Sequence, residues 1–322
     1  MNRRSLLLGI GAGALAARPA LAEDAPWPMR QVKIVIPFAA GGPQDVPARV
    51  IADRLSRRLG ATFFIENRPG AGGGLGAQAV AQAAPDGGTL LFISSSISII
   101  PTLRPGLGLD PVRDLAPLSL VCDVPAGLMV RAESRFTSLA DLLVQARANP
   151  GKFTYGSGGV ASANHLAGAL FASLAEIDVV HVPYRGISQA VNAIYTGEID
   201  FIFGSTIEVL AHAAQGRARL LGTTMTARLA ELPDVPAIGE QVPGYEAPNW
   251  FAMFTPKGMS EELTGRLVSE LALLRQDRDL LDRFAAGAAI PRLDGPAPLA
   301  RQLSQEIEKW RGVIERAGIE PV

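Results

Sequence analysis

The chemistry this chain can do begins where a β-branched run, Val32 to Pro37, gives way to Gly41-Gly42 and then to Asp45 and a segment with helical apolar spacing. That pattern reads as strand, tight turn and helix. Glycines let backbone approach a guest closely. The first turn of a helix leaves N–H donors unpaired and adds partial positive charge from aligned peptide dipoles, so the guest that suits such a turn is an anion, a phosphate or a carboxylate. The plainer alternative is a βα turn in which Asp45 only caps the helix.

Other reactive residue types give less. His165, His181 and His212 form no recognisable metal-ligand motif, and no metal is expected. Cys122 is the only cysteine, which excludes a disulfide framework and a cysteine zinc site, and it lies too far from the N-terminus to carry a lipoprotein anchor. Gly72, Gly74 and Ala77 loosely fit a G-x-G-x-x-A dinucleotide turn. No acidic residue ends a following strand at the expected place. Neither a G-x-x-x-x-G-K-[ST] phosphate loop nor a G-x-S-x-G elbow with suitable partners occurs. No cofactor and no catalytic residue is expected, and a dinucleotide-binding enzyme stands only as an alternative.

Residues 1–22, MNRRSLLLGIGAGALAARPALA, combine a basic start, an apolar middle and an Ala20-Leu21-Ala22 ending, the pattern of a removable export signal cleaved after Ala22. The segment is too short for an ordinary membrane helix. Arg3-Arg4 before Ser5-Leu6-Leu7 resembles a twin-arginine signal, though general secretory signals also carry two arginines here. Gly9, Gly11 and Gly13 follow no strand and belong to the removed segment, so they are no nucleotide fingerprint. The remaining 300 residues suit two lobes better than one. Losing Arg3, Arg4 and Arg18 leaves 27 basic against 31 acidic side chains, a net charge of −4 that argues against a nucleic-acid partner. The expectation is a soluble monomer in the periplasm.

The elements that must position the glycine turn alternate between strand and helix. Residues 61–66 and 88–95 read as strands around a glycine turn and helix at 70–84. A second series starts near Ala126 and continues through "GKFTYGSGG", "IDVVHVPY", "IDFIFGS" and "RARLLGTT". The third part has one strand, "WFAMFTP", followed by helices near 261–275, 277–286 and 297–317. Alternation favours mostly parallel sheets flanked by helices, an α/β architecture. A lone late strand completes the first sheet if the chain returns to it. The expected fold is therefore a two-lobed clamshell with crossovers near 122–126 and 245–250. Residues 23–123 with 248–322 form lobe 1, and 124–247 form lobe 2. A ligand would sit where strand ends and helix starts converge in the cleft.

The segments "VKIVIPFAAGGPQDVPARVIADRL", "FIENRPGAGGGLGAQAVAQAAPDGGTLLF", "YGSGGVASANHLAGALF", "VPYRG", "ELPDVPAIGEQVPGYEAPNWFAMFTPKG" and "IEKWRGVIERAGIEP" resemble, in order and along the whole exported chain, the substrate-binding proteins of tripartite tricarboxylate transporters. These are the Bug-type receptors. The resemblance implies a periplasmic binding protein of clamshell form, without catalysis, that captures a small organic carboxylate and delivers it to a cation-coupled membrane permease. It carries ligand contacts onto Phe38, Gly41, Gly42 and Asp45, where backbone donors take a carboxylate directly or through water. It carries them also onto the hydroxyls of Ser94, Ser95 and Ser96, which donate without adding fixed charge. From lobe 2 it implies Ser157, Gly159 and Ser162, then Tyr184 and Arg185, and Gly204 with Ser205 at the end of "FIFGS".

Each of these has a plainer reading. Ser162 is also a good helix cap, His165 is more ordinary as a packed helix residue, and Trp250 as hinge packing. Arg185 is either a solvated turn charge or a bidentate carboxylate partner. Gly204 stands where most members of the family have aspartate, which argues against an amino-acid ligand. Ile97, Val160 and Ala163 replace residues that are more often polar. If they face the cleft, extra hydroxyl or carboxyl groups of a guest would go unpaired, at about 1–3 kcal/mol each. An aromatic or medium-chain carboxylate is expected ahead of citrate. A sensor of the same fold, signalling to a membrane kinase, is the alternative role.

Overall fold

Valine, isoleucine and phenylalanine dominate the segments that pair into two sheets, as side chains that fit a pleated, buried surface do. The computed structural model describes residues 27, 30–160, 162–230, 232–286 and 289–321. The expected export segment, 1–22, lies outside the described residues. In chain order the strands are β1 (Gln31–Ile36), β2 (Thr62–Asn67), β3 (Thr89–Ser94), β4 (Leu115–Asp123), β5 (Ala126–Arg131), β6 (Phe153–Ser157), β7 (Val179–Pro183), β8 (Phe201–Ser205), β9 (Ala218–Thr223), β10 (Trp250–Pro256) and β11 (Ile290–Asp294).

One sheet has the order β11-β4-β10-β3-β1-β2 and the other β7-β6-β8-β5-β9. β1 is parallel to β2 and β3, and β6 is parallel to β7 and β8. The remaining neighbours are antiparallel. The expected mostly parallel sheets are therefore mixed. Helical crossovers make parallel neighbours. β4, β5 and β10 instead flank the points where the chain leaves one sheet and enters the other, with no helical crossover to their neighbours. β4 and β11 do not stand out in the sequence. Pro117 interrupts one, and β11 is a short edge strand containing Pro291, a residue tolerated at an edge.

The two crossovers lie side by side. Only Val124 and Pro125 separate β4 from β5. The Val124 N–H donates to the Asn249 carbonyl at 2.7 Å, and the Thr224 N–H to the Ala126 carbonyl at 2.9 Å. The final long helix, Pro296–Arg316, spans both lobes. Leu299, Leu303 and Ile307 pack into the core that holds Trp250 and Ala252, while Trp310, Val313 and Ile314 join Phe171, Phe203 and Tyr245 in the core of the second sheet. Their three- and four-residue spacing forms the single apolar stripe of an amphipathic helix. β1 is buried on both faces, with Ile34 and Ile36 in one core and Val35 in another, which is why its sequence shows little alternation.

Candidate functional site

The carboxyl ends of β1, β3, β6 and β8 lead into loops that meet in an interlobe cleft of about 560 Å³. Ligands of open α/β sheets sit at such ends. The first wall is the turn Pro37–Gln44, backed by Pro69–Gly73 and joined by Ser94, Ser96, Arg104 and Asn249. The second wall is built from Gly158–Val160, Ser162–Asn164, Arg185–Ser188 and Ser205.

The turn after β1 is held from behind. Gly41 has φ 81°, in the left-handed region that favours glycine. Its N–H donates to Asp45 Oδ2 at 2.9 Å, and the Asn67 amide donates to both Asp45 Oδ1 and the Phe38 carbonyl at 3.0 Å. Arg49 adds an ion pair to Asp45 at 3.2 Å. Burial by itself raises the Asp45 carboxyl. The hydrogen bonds from Gly41, Asn67 and Arg49, with the charge of Arg49, outweigh it and hold the group below the usual carboxylate range. Asp45 thus faces away from the cleft and clamps the turn. It is not the helix cap either, since Gln44 occupies that position without a side-chain cap bond. The first turn of the helix is a poorer anion site than its position suggests. The Asp45 N–H already bonds to the Gly42 carbonyl, and Pro47 has no N–H. The Ala39 and Ala40 N–H groups meet no acceptor among the described residues, and they belong to the lining.

The glycines after β2 serve this turn rather than a nucleotide. A Cβ on Gly76 would lie 2.6 Å from Pro37 Cβ, and one on Gly73 would lie 3.2 Å from the Phe38 ring. They let the helix Gly74–Ala81 and the loop before it press against Pro37 and Phe38. Of the G-x-G-x-x-A likeness itself, Gly74 and Ala77 serve packing: a Cβ on Gly74 would run into Leu107 Cδ1, and Ala77 is fully buried in the core.

Of the three serines after β3, Ser94 and Ser96 line the cleft, with their hydroxyls 3.0 Å apart. Ser95 is turned away and donates to Asn249 Oδ1 at 2.8 Å, tying this loop to the return crossover.

On the second wall, Ser162 Oγ accepts from the His165 N–H at 3.3 Å, capping the helix Ala163–Ala175, and donates to the Gly159 carbonyl at 2.7 Å. It is cap and lining at once. Gly159 has φ 121°. Ser157 sits behind the loop, where its Oγ accepts from the Gly159 N–H at 3.1 Å and lies 2.7 Å from His181 Nε2. The His165 and His181 rings stack with centroids 3.9 Å apart, beside the Tyr155 ring. Burial pushes both imidazoles down to about 4, and for His181 the neighbouring His165 charge adds to it. They are neutral supports of the loop at neutral pH.

Tyr184 does not line the cleft, because its hydroxyl donates to Glu198 at 2.7 Å. Arg185 does, and among the described residues its side chain has no carboxylate partner. A Cβ on Gly204 would meet Val209 Cγ2 at 2.6 Å, so this position points into the lobe core and its lack of a side chain says nothing about a ligand ammonium. Ser205 lines the cleft with a buried hydroxyl that finds no partner among the described residues. Val160 and Ala163 face the cleft, whereas Ile97 is fully buried in the core. Trp250 is likewise core, and donates from Nε1 to Glu306.

Sequence reasoning missed Arg104, Asn164, Asn249 and the Asn67 clamp. Asn67 lies inside the quoted "ENRPG" segment, which was the available signal. Arg104 had none. Among the described residues the charged side chains of the lining are Arg104 and Arg185, with no acidic one. Such a lining accepts hydrogen-bonded anions and, among the described residues, offers an ammonium group no counter-charge.

A family model described as the tripartite tricarboxylate transporter family receptor matches residues 47–319. Protein BugT of Bordetella pertussis is 33% identical over 324 residues, covering 99% of this chain and 99% of that protein. A solved R. palustris protein with adipate superposes with a TM-score of 0.86 at 32% identity, covering 92% of this chain and 100% of that one. The periplasmic binding protein BugD superposes with a TM-score of 0.84 at 29% identity, over 92% of this chain and 100% of its own.

Proposed function

Because this chain belongs to the tripartite tricarboxylate transporter receptor family, a family of periplasmic solute-binding receptors and not an enzyme class, we propose that its interlobe cleft captures an organic carboxylate for a membrane permease. The observation that carries this is the charge of the lining, two arginines and no carboxylate among the described residues, in a chain whose overall net charge is −1. With no general attraction for anions, affinity has to come from local donors in a desolvated cleft, where charge-assisted hydrogen bonds are strong and weakly screened. The contacts we assign are the backbone of Phe38–Gly42, the hydroxyls of Ser94, Ser96, Ser162 and Ser205, the Gly159 loop, and Arg185. We assign residues 23–123 with 248–322 to lobe 1 and 124–247 to lobe 2, the end of the final helix, with Trp310, Val313 and Ile314, being packed against lobe 2, and the cleft lies between them.

The ligand is an aromatic or medium-chain acid in preference to citrate or an amino acid. Phe38, Val160, Ala163 and Ile187 give the walls apolar surface and leave surplus hydroxyls unpaired. An amino acid's ammonium would meet no carboxylate among the described lining residues. The adipate held by the R. palustris relative belongs to the favoured class. A thermal-shift series tests the reading, since a ligand that binds only the folded state raises its apparent stability. Medium-chain and aromatic acids at about a hundred times their Kd should raise the melting temperature by roughly 5–10 °C. Their neutral amides should leave it unchanged. Equal shifts from acids and amides, or shifts from amino acids alone, would refute the assignment.

A further inference from the structure

Arg104 stands at the end of a segment whose isoleucine and leucine side chains are buried. Ile97, Ile99, Ile100 and Leu103 are at most 3% exposed. After the helix Ile100–Leu103 the backbone breaks to φ −136°, ψ 54° at Arg104, which brings this residue into the cleft lining. Its main chain is already satisfied. The N–H donates to the Ile100 carbonyl at 2.9 Å, and the carbonyl accepts from the Leu107 N–H at 3.1 Å.

The side chain is not satisfied. Its Nε is sealed from solvent and meets no acceptor among the described residues, and no described carboxylate pairs with its guanidinium. Elsewhere the chain treats its part-buried arginines differently. Arg54 reaches Asp53, Asp277 and Asp279, and Arg292 reaches Asp123 and Asp294. A guanidinium stays charged at any physiological pH, and its planar fork matches a carboxylate. A buried donor left unpaired is costly. An anion entering the cleft would supply the partner that the Arg104 guanidinium lacks among the described residues. Arg185 on the opposite wall, with the unpartnered hydroxyl of Ser205, supplies another polar pole. Apolar surface of Phe38, Val160 and Ile187 belongs to the same lining.

We propose that Arg104 selects for the number of charges on the guest, pairing with a second carboxylate so that the receptor prefers a dicarboxylate with an apolar spacer over the corresponding monocarboxylate. The proposal rests on the carboxylate-receptor reading and names the class within it.

Calorimetry on the purified protein, with straight-chain α,ω-dicarboxylates of four to eight carbons, terephthalate, the monomethyl ester of each and the diamide of each, tests it. The tightest diacid should bind at least tenfold more strongly than its monoester, about 1.4 kcal/mol. Arg104→Gln should bring the diacid down to the level of the monoester, so that the diacid-to-monoester affinity ratio falls from at least tenfold to about one. Arg104→Lys keeps the charge without the fork and should retain part of the preference. If Arg104→Gln does not fold, as judged by circular dichroism, the wild-type ratio and the lysine variant decide the matter. Equal wild-type affinity for diacid and monoester, or a preference that survives in Arg104→Gln, would overturn the role of Arg104 and leave the carboxylate reading intact. Binding of diamides as tight as the acids, or no binding by any acid in the series, would overturn both.

Discussion

The two walls of the cleft are held in place by different chemistry. The lobe 1 turn, Pro37–Gln44, is fixed by a buried carboxylate, an amide and the close approach of glycines: Asp45 and Asn67 grip it from one side and Gly73 and Gly76 from the other. The lobe 2 loop, Gly158–Ser162, is fixed by hydroxyls resting on two stacked, neutral imidazoles. Asp45 keeps its charge to lower pH than an ordinary carboxylate, because its hydrogen bonds outweigh its burial and favour the ionised form. The histidines keep their neutrality only while the solvent does not force a proton on them. The first wall should be sensitive to shape and indifferent to pH near neutrality. The second should respond to acid.

The largest effect should come from breaking the close approach behind the first wall. Gly76→Val places a branched side chain where a Cβ alone would lie 2.6 Å from Pro37 and 3.0 Å from the Arg68 carbonyl. The helix and the turn cannot both keep their places. Calorimetry should show carboxylate affinity more than about a hundredfold weaker, about 2.7 kcal/mol, with a stability loss of about 1–3 kcal/mol from overpacking.

A smaller loss should follow from Asp45→Asn. Cap reasoning alone makes this change mild, since asparagine caps well. The structure gives Asp45 donors on both oxygens, so an amide nitrogen there would face the N–H of Gly41 or the amide of Asn67. Binding should weaken about tenfold, about 1.4 kcal/mol. Unchanged affinity in the calorimeter would mean that the turn does not depend on its clamp.

The smallest effect belongs to the second wall. An unfolded imidazole protonates near 6.5, the buried pair near 4. Between those values the unfolded chain binds protons that the folded chain refuses, so the pair's contribution to stability is present above about 6.5 and is lost as pH falls toward 4. Glu306, raised by burial to about 7, works in the opposite sense, because there the folded chain holds the proton longer. The useful readout is therefore the difference between the wild type and a His165→Gln, His181→Gln double variant. The wild type should lose on the order of 5 °C more in melting temperature than the variant between pH 6.5 and 4. Parallel curves would remove the distinction between the walls.

The parts of the site legible in the sequence are those that depend on residue type within a few positions. Gly41-Gly42 after a β-branched run, the serine triplet after β3 and Ser162 before a helix declare themselves locally. What could not be read is which way each side chain faces. Ser94 and Ser96 meet the cleft while Ser95, between them, bonds to Asn249 more than 150 positions away. Tyr184 is spent on Glu198, and Gly204 faces a helix of its own lobe. Strands β4 and β11 were hidden for a related reason, since Pro117 and Pro291 break the local pattern and only neighbours supplied by distant segments make them strands.

By itself the sequence determined that this is an α/β chain of two lobes, with a glycine turn suited to an anion. Apolar periodicity and backbone preference are short-range, and they act before the fold is complete. Only the tertiary structure decided that the cleft's described lining carries two arginines and no carboxylate, that Asp45 serves the turn instead of the guest, and that Arg104 belongs to the site at all. Charge pairing is settled by what comes within a few ångströms in space. Arg54 finds two of its three carboxylates more than 220 positions along the chain, and nothing near Arg104 in sequence reveals that it finds none among the described residues.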